Sequence, residues 1–349
     1  MEKWQRILNN SITTLDALNK HLECDSNALG DVIANFPMRI NPYFLKLIQF
    51  PGDPLWKQAV PDKAELETTV CLQDPLDEEN LSPVPNLVHK YPDRVLFLVS
   101  NSCAMYCRFC TRKRKVGTTK MDITRDTLEA GYEYLRKNRQ IREVLISGGD
   151  PLLLSDEKLD NILKKIKSIS SIEVIRIGTR IPSVLPARIT RTLIKVLRKA
   201  HPIYINTHFN HPAEITVEAA RACAMLANAG IPLGCQTVLL KGVNDNLPTI
   251  QTLLLGLLRI RVKPYYLFQA DLTEGTDHFR TPTRKGIEIM RQLYGNVSGM
   301  AIPTYALDAP GGRGKIPLTP QYILESGQDL IFTNYQGQVC TYPEAGDCC

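Results

Sequence analysis

The sequence has no apolar run that approaches the roughly 18 residues of a membrane-spanning helix. Residues 1–20 lack the apolar core of a secretory signal. No long basic block of the kind that binds nucleic acid is present, and the net charge is only +6, from 42 basic and 36 acidic residues. Repeats and low-complexity tracts are also missing from an otherwise ordinary globular composition. We therefore expect a cytoplasmic, globular protein that acts on small molecules rather than on membranes or nucleic acids.

Cysteine is the residue with an unusual distribution. The chain has 10 cysteines in 349 residues, but it is too long for a small secreted disulfide framework and lacks the signal for one. Three of them, Cys103, Cys107 and Cys110, are packed into one short loop. The others are isolated or terminal, at Cys24, Cys71, Cys223, Cys235, Cys340, Cys348 and Cys349. The contrast between the two groups is the first indication of a functional site.

The pattern of apolar residues divides the chain into three parts. Residues 1–90 are predicted to form a helical, proline-punctuated arm or cap. Residues 91–300 alternate short apolar runs with amphipathic helices such as 156–169, 186–200 and 216–230, which predicts an α/β fold with a parallel sheet. The six runs, at 95–100, 143–149, 172–178, 202–208, 232–240 and 263–271, favour a partial (β/α)6 barrel. Residues 301–349 are predicted to be a C-terminal segment with a hairpin that turns at Gln336 and Gly337.

Residues capable of chemistry follow several of the predicted strands. The first strand is followed by the cysteine loop, the second by Gly148, Gly149 and Asp150, and later ones by His208 and Asp271. In a parallel barrel the active-site groups lie at the carboxyl ends of the strands. The sequence therefore predicts one site at that edge of the sheet.

The cysteine loop has the spacing Cx3Cx2C. Two alternatives are a set of buried structural thiols and a zinc site, although zinc needs a fourth ligand that the loop does not contain. The third is a [4Fe–4S] cluster, in which three thiolates leave one iron open for another ligand. The spacing resembles that of the radical S-adenosylmethionine (SAM) superfamily, in which SAM chelates the open iron and is cleaved to a 5′-deoxyadenosyl radical.

Four segments narrow the resemblance to one family. Residues 90–117, 147–152, 206–216 with 235–246, and 308–320 resemble the lysine 2,3-aminomutase (KamA) family, whose members use both SAM and pyridoxal 5′-phosphate (PLP). The resemblance implies an isomerase that interconverts L-lysine and L-β-lysine through a PLP external aldimine. It also implies a reductant such as flavodoxin or ferredoxin, and a possible homo-oligomer.

The resemblance assigns a role to individual residues. Cys103, Cys107 and Cys110 are expected to hold the cluster, and Lys315, in a glycine-rich loop that allows close approach, is expected to be the PLP-bonded lysine. The expected contacts of the PLP phosphate are Lys90, Tyr91 and Arg94, with Lys90 standing where the family usually has arginine. Those of SAM are Gly148, Gly149, Asp150, His208 and Gln236. Those of the substrate are Arg112 for its carboxylate and Asp271 and Asp308 for its ε-ammonium.

The sequence departs from the longer members of the family at their zinc site. Asn246 stands where they have a cysteine, and the tail ends in the adjacent pair Cys348 and Cys349 rather than a spaced set, so we expect no intersubunit zinc. Two other functions stay open. A lysine aminomutase could serve the modification of elongation factor P, and a non-catalytic iron–sulfur electron-transfer protein would belong to a different class.

Overall fold

The computed structural model describes residues 1–22 and 26–345. Its N-terminal part contains five short helices, α1 Lys3–Asn9, α2 Leu15–Asn19, α3 Ser26–Asn35, α4 Pro42–Leu45 and α5 Pro54–Ala59. The last two begin where the sequence dictates, because a proline occupies the first turn and the preceding Asn41 or Asp53 accepts hydrogen bonds from the free backbone N–H groups. All five helices lie within residues 1–90, the part for which the sequence predicts a helical arm or cap.

A nine-stranded sheet follows, with its strands ordered along the sheet as they are along the chain. The strands are β1 Leu87–Tyr91, β2 Arg94–Ser100, β3 Glu143–Gly148, β4 Val174–Gly178, β5 Ile203–Thr207, β6 Leu233–Leu239, β7 Lys263–Gln269, β8 Thr304–Asp308 and β9 Lys315–Pro317. Strands β2 to β8 are parallel, whereas β1 and β9 pair antiparallel at the two edges. The sheet is open, so the predicted α/β partial barrel is confirmed. The sheet continues past residue 300, through β8 and β9.

Seven helices of 4 to 13 residues accompany the strands in the described part of the chain: α6 Arg125–Lys137, α7 Asp156–Lys167, α8 Ile181–Val184, α9 Arg191–Lys199, α10 Val217–Asn228, α11 Leu247–Arg259 and α12 Thr283–Leu293. The predicted helix at 186–200 is wrong in its first turn. Pro186–Arg188 forms a separate 3-10 turn, and Thr190 then caps α9 by accepting a hydrogen bond from the backbone N–H of Leu193. None of these helices is long and apolar enough to cross a membrane.

The core lies between the strands and these helices. Alternate residues of β3, β4 and β5 are buried in one hydrophobic cluster with apolar side chains of α7, α9 and α10, namely Val144, Ile146, Ile175, Ile177, Ile203, Ile205, Leu159, Leu163, Leu193, Leu197 and Leu226. Burying each such side chain stabilises the fold by about 1.5–3 kcal/mol. The intervening residues therefore face the inside of the partial barrel, where polar side chains are available for a site.

The C-terminal residues form a second sheet of three antiparallel strands, β10 Ile323–Ser326, β11 Asp329–Thr333 and β12 Val339–Pro343. Strands β11 and β12 are the predicted hairpin, and Gly337 has the positive φ of 81° that its turn requires. Strand β10 was not predicted. Cys348 and Cys349 lie outside the described residues.

Candidate functional site

The cysteine loop leaves the carboxyl end of β2 and is fixed by the N-terminal part of the chain. Arg39 Nη1 donates to Ser102 Oγ at 2.9 Å and to the carbonyl oxygen of Cys103 at 3.1 Å. Asn41, which is fully buried, donates to the carbonyl oxygen of Ala104 at 3.1 Å. Residues 36–65 therefore support the cysteine loop. The two segments lie more than 60 residues apart in these contacts, so the sequence alone does not predict them.

A buried ionic cluster strengthens this support. The Arg108 guanidinium and the Lys113 ammonium both bond the carboxylate of Glu65, with Lys113 Nζ 2.8 Å from Oε2. Burial opposes ionisation of Glu65, but the two cations outweigh it and its pKa is lowered. Burial also opposes the positive charge of Lys113, and it lowers the pKa of that ammonium group to about 8. Because Arg108 lies between Cys107 and Cys110, these ion pairs hold the cysteine loop against Glu65 of the N-terminal part.

The three cysteine side chains, Cys103, Cys107 and Cys110, line one small cavity. Burial raises the pKa of the Cys103 and Cys110 thiols, so these thiols become thiolates only when a cation compensates their charge. Arg180 Nη1 donates to Cys107 Sγ at 2.8 Å. Among the described residues no three metal-binding side chains lie close enough to hold a single ion. Three thiolates that line one cavity are the donor set of a [4Fe–4S] cluster, in which each thiolate binds a different iron.

Gly148 and Gly149 pack directly against the base of the cysteine loop. Gly149 donates its N–H to the carbonyl oxygen of Ser100, and a Cβ on Gly149 would lie 2.5 Å from the carbonyl oxygen of Ser102. Gly148 has a φ of 129°, which side chains rarely adopt, and a Cβ there would overlap the carbonyl oxygen of Ser100. Both positions require glycine because β3 and the cysteine loop meet backbone to backbone.

Asp150, predicted to contact SAM, has a carboxylate that is already fully used by the protein. It accepts hydrogen bonds from Leu152 N–H at 3.0 Å, from Thr179 Oγ1 at 2.7 and 2.8 Å, and from Arg180 N–H at 2.8 Å. Burial raises its pKa despite these bonds. Its evident work is to tie the end of β3 to the end of β4, and so to place Arg180 beside Cys107.

His208 follows β5, and its ring stacks on Phe109 of the cysteine loop with 5.5 Å between ring centroids. Its Nε2 lies 3.0 Å from Asn210 Oδ1. Burial, together with the nearby Arg180 cation, lowers the pKa of His208 to about 3, so the ring is neutral at physiological pH. Gln236 lies in the middle of β6 rather than at its end, opposite Tyr266 of β7.

Lys315 opens strand β9 and pairs across the hairpin with Asp308 of β8. Its Nζ lies 3.0 Å from Asp308 Oδ1, and the Nζ of Lys90 lies 3.5 Å from the same oxygen. The backbone N–H of Lys315 donates to Tyr91 Oη at 3.1 Å. These contacts join the two edge strands of the open sheet through side chains, and they bring together residues more than 200 positions apart.

The loop before Lys315 requires its glycines. Gly311, Gly312 and Gly314 have φ values of 72°, 71° and 98°. A Cβ on Gly312 would also lie 3.1 Å from the carbonyl oxygen of Leu76. Side chains rarely adopt these positive φ values, so the turn that leads to Lys315 depends on glycine.

Arg94 lies next to Tyr91 but further from Lys315. Its guanidinium carbon is 4.0 Å from the Tyr91 ring centroid, and Nη1 pairs with Asp93 at 2.8 Å. Arg94 also lines a cavity of about 530 Å³ on the inner face of the sheet, with polar groups that include Arg176 and Asn206. Tyr91 therefore lies close to two cations, Lys90 and Arg94.

Asp271, two residues past the end of β7, is buried close to Asp308. Burial and the charge of Asp308 raise its pKa to about 7, and the cations Lys315 and Lys90 only partly oppose that rise. The two carboxylates come from separate segments, the loop after β7 and strand β8, and lie close enough for their charges to interact. Pairs of carboxylates with a pKa displaced in this way are typical of binding or catalytic sites.

Arg112, expected to bind a substrate carboxylate, is paired with a residue that the sequence did not single out. Glu78 Oε2 accepts from Arg112 Nε at 2.9 Å, and Glu78 Oε1 accepts from Nη2 at 2.5 Å. The fork is partly buried, with 15% of the Arg112 side chain and 8% of the Glu78 side chain exposed.

Similarity to known proteins decides the affiliation, and relatives that match nearly the whole chain carry most weight. The model described as Radical SAM superfamily matches residues 97–253, which include the three cysteines, and the model described as Lysine-2,3-aminomutase matches residues 290–349, which include Lys315. The L-lysine 2,3-aminomutase of Acetoanaerobium sticklandii is 48% identical over 349 residues, covering 98% of this chain and 84% of that protein. The chain belongs to the lysine 2,3-aminomutase family.

Two further relatives show the range of this family. The L-lysine 2,3-aminomutase of Clostridium subterminale is 46% identical over 348 residues, covering 98% of this chain and 84% of that protein. The glutamate 2,3-aminomutase of Clostridioides difficile is 43% identical over 343 residues, covering 97% of this chain and 81% of that protein. Membership in the lysine 2,3-aminomutase family makes the protein a radical SAM isomerase, and it does not favour a non-catalytic electron-transfer protein.

Sequence reasoning missed two functional candidates of this family member. Arg180 is held by Gln58 Oε1 at 2.5 Å and by Glu214 Oε2 at 3.1 Å, so that its guanidinium reaches Cys107. Glu78 holds Arg112. Neither belongs to a recognisable motif, and both act on residues far away in the chain, so no local signal could have found them.

Asn246, for which the resemblance predicts no role as a zinc ligand, has a structural role. It is the N-cap of α11, and its side chain accepts a hydrogen bond from the backbone N–H of Thr249 at 3.0 Å. An asparagine that caps a helix is already used by the backbone.

Proposed function

We propose that the protein interconverts L-lysine and L-β-lysine by moving the amino group between C2 and C3. The observation that carries this proposal is the carboxylate of Asp308, which binds two lysine ammonium groups, those of Lys315 and Lys90. With Lys315 and Lys90 engaged by PLP, the pocket around this carboxylate would be free to take the ε-ammonium of a lysine substrate. Asp271 adds a second buried carboxylate to the same pocket.

The residues present fit the proposed cofactors. Cys103, Cys107 and Cys110 would hold a [4Fe–4S] cluster near His208 and the Gly148–Gly149 strand end, where SAM would bind. Lys315 would hold PLP, with Lys90, Tyr91 and Arg94 beside its phosphate. When bound, PLP supplies a carbonyl for the substrate amine, and SAM with the reduced cluster supplies the radical that starts the migration. The electron would come from a reductant such as flavodoxin or ferredoxin.

The chain's own residues bind, orient and shield the substrate. Asp271 and Asp308 would hold one end of lysine while Arg112 holds its carboxylate, which fixes the position of C2 and C3 between them. Asn41, Glu65 and Arg180 contact the cysteine loop and are buried, so they would exclude water from its base. Residues 1–90 would serve as the support for the cysteine loop, and the segment from 301 onward would present Lys315.

Glutamate is the competing substrate, because a glutamate 2,3-aminomutase is nearly as similar in sequence. Glutamate would place a carboxylate against Asp271 and Asp308. Bringing like charges together in a buried pocket raises the energy of the complex, whereas an ammonium lowers it. The pair of aspartates therefore favours lysine.

We expect Asp271→Asn and Asp308→Asn each to lower kcat/KM for lysine by about one to two orders of magnitude, because each removes a charge-assisted hydrogen bond of about 1.5–3 kcal/mol. Both variants should still bind PLP and the cluster. Asp160→Asn, which removes a surface carboxylate that pairs with Lys164 on α7, is the matched control and should change little. Effective competition by glutamate in the unaltered protein would contradict the assignment.

The pH dependence of lysine binding should follow Asp271. Its pKa of about 7 leaves it largely protonated in mild acid, and only the ionised form attracts an ammonium group. The KM for lysine should therefore fall as pH rises from about 6 to about 8 and then level off. Asp308, Lys315, Lys90 and Glu78 also act on this carboxylate. The fall in KM should disappear in Asp271→Asn, and a fall of the same size in that variant would assign it to another group.

A further inference from the structure

The segment 72–82 contacts three parts of the site, namely the loop after β7, the loop before Lys315 and the cysteine loop. The Leu72 N–H donates to the carbonyl oxygen of Leu272, which follows Asp271, at 2.7 Å, and the carbonyl oxygen of Leu72 accepts from Glu274 N–H at 2.9 Å. The Gly311 N–H of the lysine loop donates to the carbonyl oxygen of Pro75 at 3.0 Å. The segment is thus held by backbone bonds to the loop after β7 and to the loop before Lys315.

Acidic side chains connect the same segment to the cysteine loop. Asp74 and Glu79 each approach Arg114 Nη2 at 3.1 Å, and Glu79 also pairs with Lys115 at 2.9 Å. Glu79 is largely exposed, with 60% of its side chain accessible, whereas Glu78 is buried against Arg112. Of the acidic residues on this segment, Glu78 is the one directed into the predicted substrate site.

The geometry of the pair decides what Glu78 can do. A guanidinium has five N–H donors in one plane, and Glu78 takes the Nε–Nη2 edge. The Nη1 group and the second N–H of Nη2 form another edge, which can bind a second carboxylate in a bidentate manner. Because the segment that carries Glu78 is fixed by backbone bonds, the guanidinium plane is fixed as well.

We propose that Glu78 is a positioning residue that fixes the guanidinium of Arg112 so that its Nη1–Nη2 edge receives the α-carboxylate of the substrate. The inference rests on the proposed function, because it takes an amino acid as the ligand. Glu78 also neutralises the partly buried Arg112 before the substrate arrives, so the guanidinium is not left desolvated and unpaired. The charge of Glu78 also raises the pKa of Asp271, so Glu78 lies close enough to act on the carboxylates that are proposed to bind the ε-ammonium.

The test compares Glu78→Gln with Glu79→Gln in PLP-loaded protein that lacks SAM and reductant, so that no turnover occurs. Calorimetry would measure the dissociation constants of lysine and of lysinamide, which lacks the carboxylate. We expect Glu78→Gln to weaken lysine binding by roughly ten- to hundredfold, the range that one charge-assisted bond supplies, and to leave lysinamide almost unchanged. The ratio of the two constants isolates the carboxylate, so a general loss of structure would not produce this result. Glu79→Gln should behave like the unaltered protein.

Turnover provides the second readout. In the complete enzyme, Glu78→Gln should raise KM for lysine while kcat is largely retained, as for an interaction present in both ground and transition states. If Glu78→Gln does not fold, Glu78→Asp keeps the charge but is too short for the fork, and the same results are expected from it. Lysine binding equal to that of Glu79→Gln, or tighter binding in the Glu78 variants, would overturn the inference while the proposed function stands. Failure of the unaltered protein to bind or convert lysine would overturn both.

Discussion

Lys315→Ala is expected to abolish both lysine isomerisation and the covalent attachment of PLP. Strand β9 places the amine of Lys315 beside Asp308 and its backbone N–H against Tyr91 Oη, and alanine supplies no nucleophilic nitrogen at this position. After treatment with borohydride, the unaltered protein should carry PLP on one peptide that contains Lys315. Mass spectrometry of a digest would identify it.

Lys90→Ala is the control for this result. Lys90 pairs with the same oxygen of Asp308, so its loss changes the charge of the pocket by the same amount. The Lys90 variant should bind PLP more weakly but should keep the borohydride-stable label on Lys315. Equal labelling of a different lysine in Lys315→Ala would show that the assignment of this residue is wrong.

Cys107→Ala is expected to eliminate the broad visible absorbance of the reconstituted protein and the reductive cleavage of SAM. A cluster held by three thiolates loses a third of its protein ligands in this variant, and the sulfur that Arg180 contacts is lost with it. The absorbance spectrum and the yield of 5′-deoxyadenosine would be measured after anaerobic reconstitution.

Cys340→Ala provides the matched comparison, because Cys340 is on β12 in the second sheet and is not part of the cysteine loop. It should retain the spectrum and the cleavage rate of the unaltered protein. Cleavage of SAM at an unchanged rate in Cys107→Ala would refute the cluster assignment, whatever the effect of Cys340→Ala.

Six of the seven parallel strands, β2 to β7, were predictable because each is a short apolar run with turn residues at its ends, a signal contained within a few neighbouring positions. Strand β8 and the edge strands β1 and β9 escaped this reasoning. β9 is exposed and only three residues long, and its pairing depends on the turn made by the glycine loop. That pairing places Asp308 opposite Lys315, and the sequence does not show that the glycine loop turns the chain back in this way.

The site was predictable to the extent that its residues follow strand ends or family motifs. The cysteines, Lys315, Asp271 and Asp308 belong to this group, and the structure brings the last three together. Glu78 and Arg180 do not, because each acts through a partner far away in the chain. Asp150 differs from both groups. It follows a predicted strand end, but its carboxylate accepts hydrogen bonds from Thr179 and Arg180 and so connects β3 to the end of β4.

The most direct test of the account is conversion of L-lysine by the complete enzyme. The protein would be reconstituted anaerobically with iron, sulfide and PLP, supplied with SAM and a reductant, and incubated with L-lysine or L-glutamate. Chromatography of the products should show β-lysine from lysine and no β-glutamate from glutamate, with product formation dependent on SAM. Formation of β-glutamate without β-lysine, or cleavage of SAM with neither product, would contradict the account.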